Sequence, residues 1–228
     1  MAGGSIKTVL YAASAAPLSD SRLYDAAYSA ASDPRRQKTD RYRKARDRRL
    51  SLSAELLLRY GLRAAGQDAV TIDLDYNAQG KPFLKNSDVY FNVSHSEEYV
   101  ICAVAGCEVG CDVEKISTVD LKIAKRFFFR EEYDDIAAQT TPAERDELFC
   151  RYWTLKESFM KATGLGMKLP LDEFRIVLGQ EISVIQSVDE RSYSFKEFAD
   201  IPGYRCALCM AGDCRDAELR IIDLAKAL

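Results

Sequence analysis

The chain has 228 residues, 47% of them hydrophobic and 29% charged, which excludes a disordered polymer, and no apolar run approaches the ~20 residues that a bilayer-spanning helix needs. Lys and Arg number 32 against 35 Asp and Glu, and the net charge of −3 gives no overall steering toward nucleic acid. With seven Cys and one His, a His-built zinc site is disfavoured, and an odd Cys count on a chain long enough for a full core reads as thiols packed as small hydrophobes in a reducing, cytoplasmic setting.

The opening Met1-Ala2-Gly3-Gly4-Ser5-Ile6-Lys7 is followed by no long apolar core, so no secretory signal is expected. Charge is then distributed unevenly. Residues 33–50 carry nine basic and three acidic side chains, a local +6 that leaves −9 for the remainder. Asp33 and Pro34 suit the N-cap and first helical position, and Leu50, Leu52, Ala54, Leu56, Leu57, Leu58 and Leu62 continue a helical pattern to Gly61 or Gly66. The basic cluster is therefore predicted to form the first half of one long helix, as a solvated face or as a site for phosphates or an acidic partner.

Alternating β-branched and aromatic stretches predict strands at 89–93, 100–105 and 109–113. A helical pattern covers 120–138. Thr141-Pro142-Ala143-Glu144 joins a capping box to Pro at the first helical position and opens a helix to about Gly164. Strands are predicted again at 174–178, 182–185, 193–195 and 204–210. No internal repeat is visible. The order of elements is α+β, with a boundary after Glu114 that separates an N-terminal half, 1–114, from a C-terminal half, 115–228.

Three stretches concentrate the chemistry. Asn92-Val93-Ser94-His95-Ser96 ends a predicted strand and gathers hydroxyls and the lone imidazole, but no GxSxG elbow or nearby orienting carboxylate supports a Ser–His hydrolase. In Gly110-Cys111-Asp112-Val113-Glu114 two carboxylates two residues apart share one strand face, roughly 7 Å apart at Cα. They are either ordinary surface acids or hard oxygen ligands for Mg²⁺. On the helix opened at Thr141, Trp153, Glu157 and Lys161 recur every four residues and form a stripe, either a surface ion pair or the edge of a cleft carrying the chain's only Trp. Cys102, Cys107 and Cys111, and Cys206, Cys209 and Cys214, lack the paired CxxC spacing of a structural zinc site.

Taken in order, Gly80-Lys81-Pro82, Phe91-Asn92-Val93-Ser94-His95-Ser96, Gly110-Cys111-Asp112-Val113-Glu114 and Trp153-Thr154-Leu155-Lys156-Glu157-Ser158-Phe159-Met160-Lys161 resemble the signature motifs of 4′-phosphopantetheinyl transferases of the surfactin-synthetase-activating (Sfp) type. The likeness extends through Ala124-Lys125-Arg126-Phe127-Phe128 to Leu169-Pro170-Leu171-Asp172. It implies a pseudo-twofold fold of two similar α/β halves, with the active site in the cleft between them, in a monomer with no nucleic-acid or membrane partner.

It further implies transfer of phosphopantetheine from coenzyme A to a serine of an apo acyl or peptidyl carrier protein, releasing adenosine 3′,5′-bisphosphate. By the same resemblance, Asp112, Glu114 and Glu157 bind Mg²⁺, or Mn²⁺ in its place, and Glu157 also serves as base. Lys161 contacts the pyrophosphate, Ser94 and His95 the coenzyme A phosphates, and Lys81 the adenylate end. Arg35 and Lys38 fall on the 3′-phosphate and Ser51 at the adenine end. The Lys-Glu-Ser form resembles members serving polyketide and nonribosomal peptide synthesis, with fatty acid synthesis left open. The alternative from another class is a non-catalytic module whose basic helix docks an acidic protein or RNA.

Overall fold

A computed structural model describes residues 6–67, 69 and 72–228; most of the opening heptapeptide lies outside them. The first half runs β1 (Val9–Ser14), α1 (Ser21–Ala30), α2 (Asp33–Asp40), α3 (Ala45–Ala64), the hairpin β2 (Leu74–Tyr76) and β3 (Pro82–Leu84), then β4 (Tyr90–Ser96) and β5 (Tyr99–Ala105). The second repeats that order: β6 (Val109–Lys115), α4 (Lys122–Phe127), α5 (Arg130–Ala137), α6 (Pro142–Thr163), the hairpin β7 (Arg175–Leu178) and β8 (Ile182–Ile185), then β9 (Ser194–Phe198) and β10 (Tyr204–Met210). β11 (Glu218–Ile221) and α7 (Leu224–Ala227) close the chain.

The sheets have matching topology. One is ordered β11-β1-β5-β4 and the other β6-β10-β9, so β1-β5-β4 and β6-β10-β9 correspond strand for strand. In each, the long helix lies on the sheet: α3 over β5, β1 and β4, and α6 over β6 and β10. The two halves are thus alike in topology although no sequence repeat marks them. The division after Glu114 falls near the end of β6, whose ladder runs to β10.

Strand alternation decides which side chains face which layer. Val9, Tyr11 and Ala13 pack with α3, whereas Leu10 and Ala12 join Ile101, Ala103, Cys111, Val113, Cys206 and Leu208 in the core between the sheets. Ala207 and Cys209 turn the other way, toward α6. All seven cysteines are free and six are buried, which agrees with their reading as packing residues.

The basic segment is not one helix. α2 ends at Asp40 and α3 starts at Ala45, and the N-cap is Ser32, one residue earlier than Asp33. Thr39 is fully buried and its Oγ1 donates to Ser51 Oγ at 2.9 Å, while Arg48 Nε donates to the Tyr42 carbonyl at 2.8 Å. Burying that Thr against α3 requires the chain to bend, and leucine periodicity carries no sign of it. Residues 120–138 likewise split into α4 and α5, because buried Phe128 turns inward to stack on Phe149 at 5.3 Å and the Glu132 carboxylate accepts from the Phe129 N–H at 3.0 Å. The Thr141 capping box and the end at Gly164, with φ of +76°, fall where the sequence places them.

Candidate active site

The site lies where β4, β6 and α6 meet, and Gly110 is what lets them meet. A Cβ at position 110 would overlap the Ser158 carbonyl oxygen and the Ala162 amide nitrogen of α6, so only glycine allows the helix to rest directly on β6. Gly110→Ala is expected to lower stability by roughly 3 kcal/mol and the melting temperature by about 6–12 °C, measured by thermal denaturation. An unchanged melting temperature would count against this close approach.

Close packing brings Asp112, two residues along β6, to Lys161, whose Nζ donates to Asp112 Oδ1 at 2.6 Å and to Ser94 Oγ at 3.1 Å. Ser94 donates to the same Oδ1 at 2.7 Å, and Ser96 to Glu114 Oε2 at 2.6 Å. Asn92 Oδ1 accepts from the Cys111 N–H at 2.9 Å. Asn92, Ser94 and Ser96 follow the two-residue strand period, so one face of β4 addresses β6 through all three. Asp112 is 3% exposed, and its other oxygen, Oδ2, is buried with no hydrogen-bond partner.

Glu157 lies 4.0 Å from Lys161 on the same helix stripe. Burial raises its pKa above the usual carboxylate range, with Lys161 opposing and Asp112 adding to the rise. Glu114 is raised as well, by burial first, against the Ser96 hydrogen bond, and then by the charges of Asp112 and Glu157. Burial works against the Lys161 charge, but Asp112 outweighs it and the ammonium pKa is raised. Glu114 and Glu157, both with raised pKa values, beside Asp112 with its orphaned buried oxygen are a donor set suited to a hard divalent cation. Among the described residues no three such side chains form a preformed coordination shell.

His95 keeps an exposed edge, yet the surrounding protein, and then the ammonium groups of Lys161 and Lys38, push its pKa below the usual imidazole value. Those charges link the basic segment to the carboxylate cluster. Burial and then Arg35 lower the pKa of Lys38, one turn along α2. Two sequence-derived candidates are held apart from the cluster by other partners. Lys81 Nζ donates to Glu108 Oε2 at 2.6 Å and to the Val109 carbonyl at 3.1 Å, and the Ser51 hydroxyl, 5% exposed, accepts from Thr39.

Beside Glu114, a cavity of about 310 Å³ is lined by Val119, Ile123, Phe149, Cys150 and Trp153. Trp153 stacks on Phe149 at 5.8 Å and lines this cavity; of the Trp153–Glu157–Lys161 stripe it is the member that does so. Sequence reasoning missed two buried acids. Glu132 is buried against Lys156, and Glu55 beneath Arg35 and Arg59. The second had a local signal, since Glu55 and Arg59 stand four apart on one helix.

Comparison with known proteins gives a consistent result. A family model described as the 4′-phosphopantetheinyl transferase superfamily matches residues 108–209, and one described as 4′-phosphopantetheinyl transferase, N-terminal, matches residues 19–107. The chain is 34% identical to 4′-phosphopantetheinyl transferase gsp of Aneurinibacillus migulanus over 192 residues, 83% of this chain and 80% of that protein. It is 36% identical to 4′-phosphopantetheinyl transferase Sfp of Bacillus subtilis (strain 168) over 184 residues, 79% of this chain and 82% of that one. It is 38% identical to 4′-phosphopantetheinyl transferase HetI of a Nostoc species over 120 residues, half of each chain. With two such relatives spanning about four fifths of either sequence, and family matches on both sides of the β5–β6 turn, the chain belongs to the 4′-phosphopantetheinyl transferase family.

Proposed function

We propose that this enzyme moves 4′-phosphopantetheine from coenzyme A to a serine hydroxyl of an apo acyl or peptidyl carrier protein, with Mg²⁺ or Mn²⁺, releasing adenosine 3′,5′-bisphosphate. One observation carries the reading: Asp112, Glu114 and Glu157 gather beside Lys161, with one oxygen of Asp112 buried and unpartnered. Displacement at phosphorus requires positioning and charge neutralisation more than a reactive enzyme side chain. The nucleophile belongs to the carrier protein.

The serine oxygen bonds to the pantetheine-side phosphorus, the pyrophosphate bridge to that phosphorus breaks, and the serine proton passes to Glu157. Burial raises the pKa of Glu157, which makes its carboxylate a better proton acceptor. Lys161 supports charge on the leaving phosphate, Ser94 and His95 bind phosphate oxygens, and Arg35 and Lys38 hold the 3′-phosphate. Lys81 and Ser51 are assigned to the adenylate end, which requires Lys81 to exchange Glu108 for ligand. Asp112, Glu114 and Glu157 would hold the cation, and a bound cation supplies charge stabilisation to the pyrophosphate oxygens. In this reading the cleft lies between the half that ends with β5 and the half that begins with β6, and the enzyme acts as a monomer in the cytoplasm. Among the described residues no helix is long and apolar enough to cross a membrane.

Thermal stability with and without MgCl₂ and coenzyme A tests the cation assignment. Because the pKa values of Glu114 and Glu157 are raised by folding, these two groups bind more protons in the cation-free folded chain than in the unfolded one, and their contribution to stability falls as pH climbs through those raised values. A cation displaces the same protons, so stabilisation by MgCl₂ should be small near about pH 5 and grow toward about pH 7.5. Coenzyme A should add to it. Stabilisation by coenzyme A that ignores MgCl₂ would contradict the assignment, and salt-sensitive RNA binding in its place would favour a non-catalytic module.

A further inference from the structure

Beneath the basic face of α2 lies a buried acid to which no role has been given. Glu55, on α3, is 5% exposed and is held from three directions. Its Oε1 accepts from the Ser32 N–H at 2.8 Å and from Arg59 at 2.9 and 2.7 Å. Its Oε2 accepts from Ser32 Oγ at 2.8 Å and from Arg35 Nε at 3.3 Å. Burial alone would raise the Glu55 pKa, but the Ser32 and Arg59 hydrogen bonds outweigh it and hold the carboxyl below the usual range, so the charge is kept.

Two consequences follow for Arg35. Ser32 is the N-cap of α2 and also accepts from the Arg35 N–H at 3.3 Å, so one carboxylate fixes both the start of the helix and the guanidinium that leaves its first turn. Arg35 meets Glu55 through Nε. That leaves the planar fork of terminal nitrogens to take two oxygens of one phosphate. Without Glu55, the repulsion from Arg35 that adds to burial in lowering the Lys38 pKa would come from a looser Arg35.

Resting on the assignment of Arg35 and Lys38 to the 3′-phosphate, we infer that Glu55 is the positioning residue that sets the preference for a coenzyme carrying a phosphate monoester on its ribose. It touches no substrate and acts through Arg35.

Steady-state transfer to a carrier protein, with coenzyme A and with 3′-dephospho-coenzyme A as donors, tests this. The wild-type chain should prefer coenzyme A. Glu55→Gln should raise KM for coenzyme A about tenfold, the equivalent of one lost charge-assisted contact, with kcat and the KM for the dephospho donor unchanged. Ser32→Ala, which removes one hydrogen bond to Glu55, should move the same ratio in the same direction by about threefold, and it serves if Glu55→Gln does not fold. Equal losses on both donors, or an unchanged ratio, would overturn the role of Glu55 while leaving the phosphate assignment standing. A wild-type chain that treats both donors alike would overturn the phosphate assignment and this role with it.

Discussion

Glu157→Gln is expected to lower turnover by about a thousandfold with the fold intact, since loss of a positioned general base typically removes ~10²–10⁴ in rate and the same carboxylate is assigned to the cation. The amide keeps the size of the side chain. It also removes a carboxylate whose ionisation folding disfavours, so in the absence of divalent cation the melting temperature at neutral pH should hold or rise. Reduced turnover with stability maintained separates a chemical role from a structural one. Retained turnover would take Glu157 out of the mechanism, and a large fall in melting temperature would recast it as a packing residue.

The largest loss of stability is expected one residue earlier. Lys156 is fully buried, and its Nζ donates to Glu132 Oε1 and to the Phe174 carbonyl, both at 2.8 Å, with the Phe174 ring centroid 4.3 Å away. Burial lowers the Lys156 pKa to about 8, against the pull of Glu132, and burial raises that of Glu132 in turn. Both shifts mark charges held away from water. Glu132 further accepts from the N–H groups of Ile176 and Phe129, so the pair ties α6 to α5 and β7.

Lys156→Met would leave Glu132 buried without its counter-charge, a change that typically costs roughly 3–5 kcal/mol. For a chain this long that amounts to a fall of about 6–20 °C in melting temperature. A shift of only a degree or two would show that the pair is not holding α6. Since Glu157 and Lys161 ride on the same helix, the neighbouring ion pair is a structural support for the site.

How much of this was readable in advance differs from element to element. β5 and β10 read as apolar runs because each has a core on both faces, while β4 and β6 alternate because each sets apolar side chains on one face and Asn92, Ser94 and Ser96, or Asp112 and Glu114, on the other; Thr141 and Gly164 bound α6 through local capping chemistry. Asp112 and Glu114 were placed on one strand face by spacing alone. β11 had no such signal: it is a four-residue edge strand that pairs in parallel with β1, Val9 opposite Glu218, across more than two hundred residues. The bend between α2 and α3 is set by Thr39 burying against Ser51, a contact twelve residues distant that leucine periodicity does not carry.

Gly110 illustrates the same limit. In the sequence it is one letter inside a predicted strand, whereas its reason is the backbone of α6 lying on it, which only the packed structure provides. The topological repeat of the halves is hidden for a related reason, because strand order and helix placement can recur while the side chains that fill each core diverge.

Intact mass of a carrier protein gives the most direct test of the proposed transfer. The chain would be incubated with coenzyme A, MgCl₂ and, in parallel, an apo fatty acid carrier and an apo peptide-synthetase carrier. At least one carrier should gain the mass of a single phosphopantetheine, and that gain should vanish with Glu157→Gln or without divalent cation. No gain on either carrier, or a gain that survives both changes, would contradict the mechanism built on Asp112, Glu114, Glu157 and Lys161.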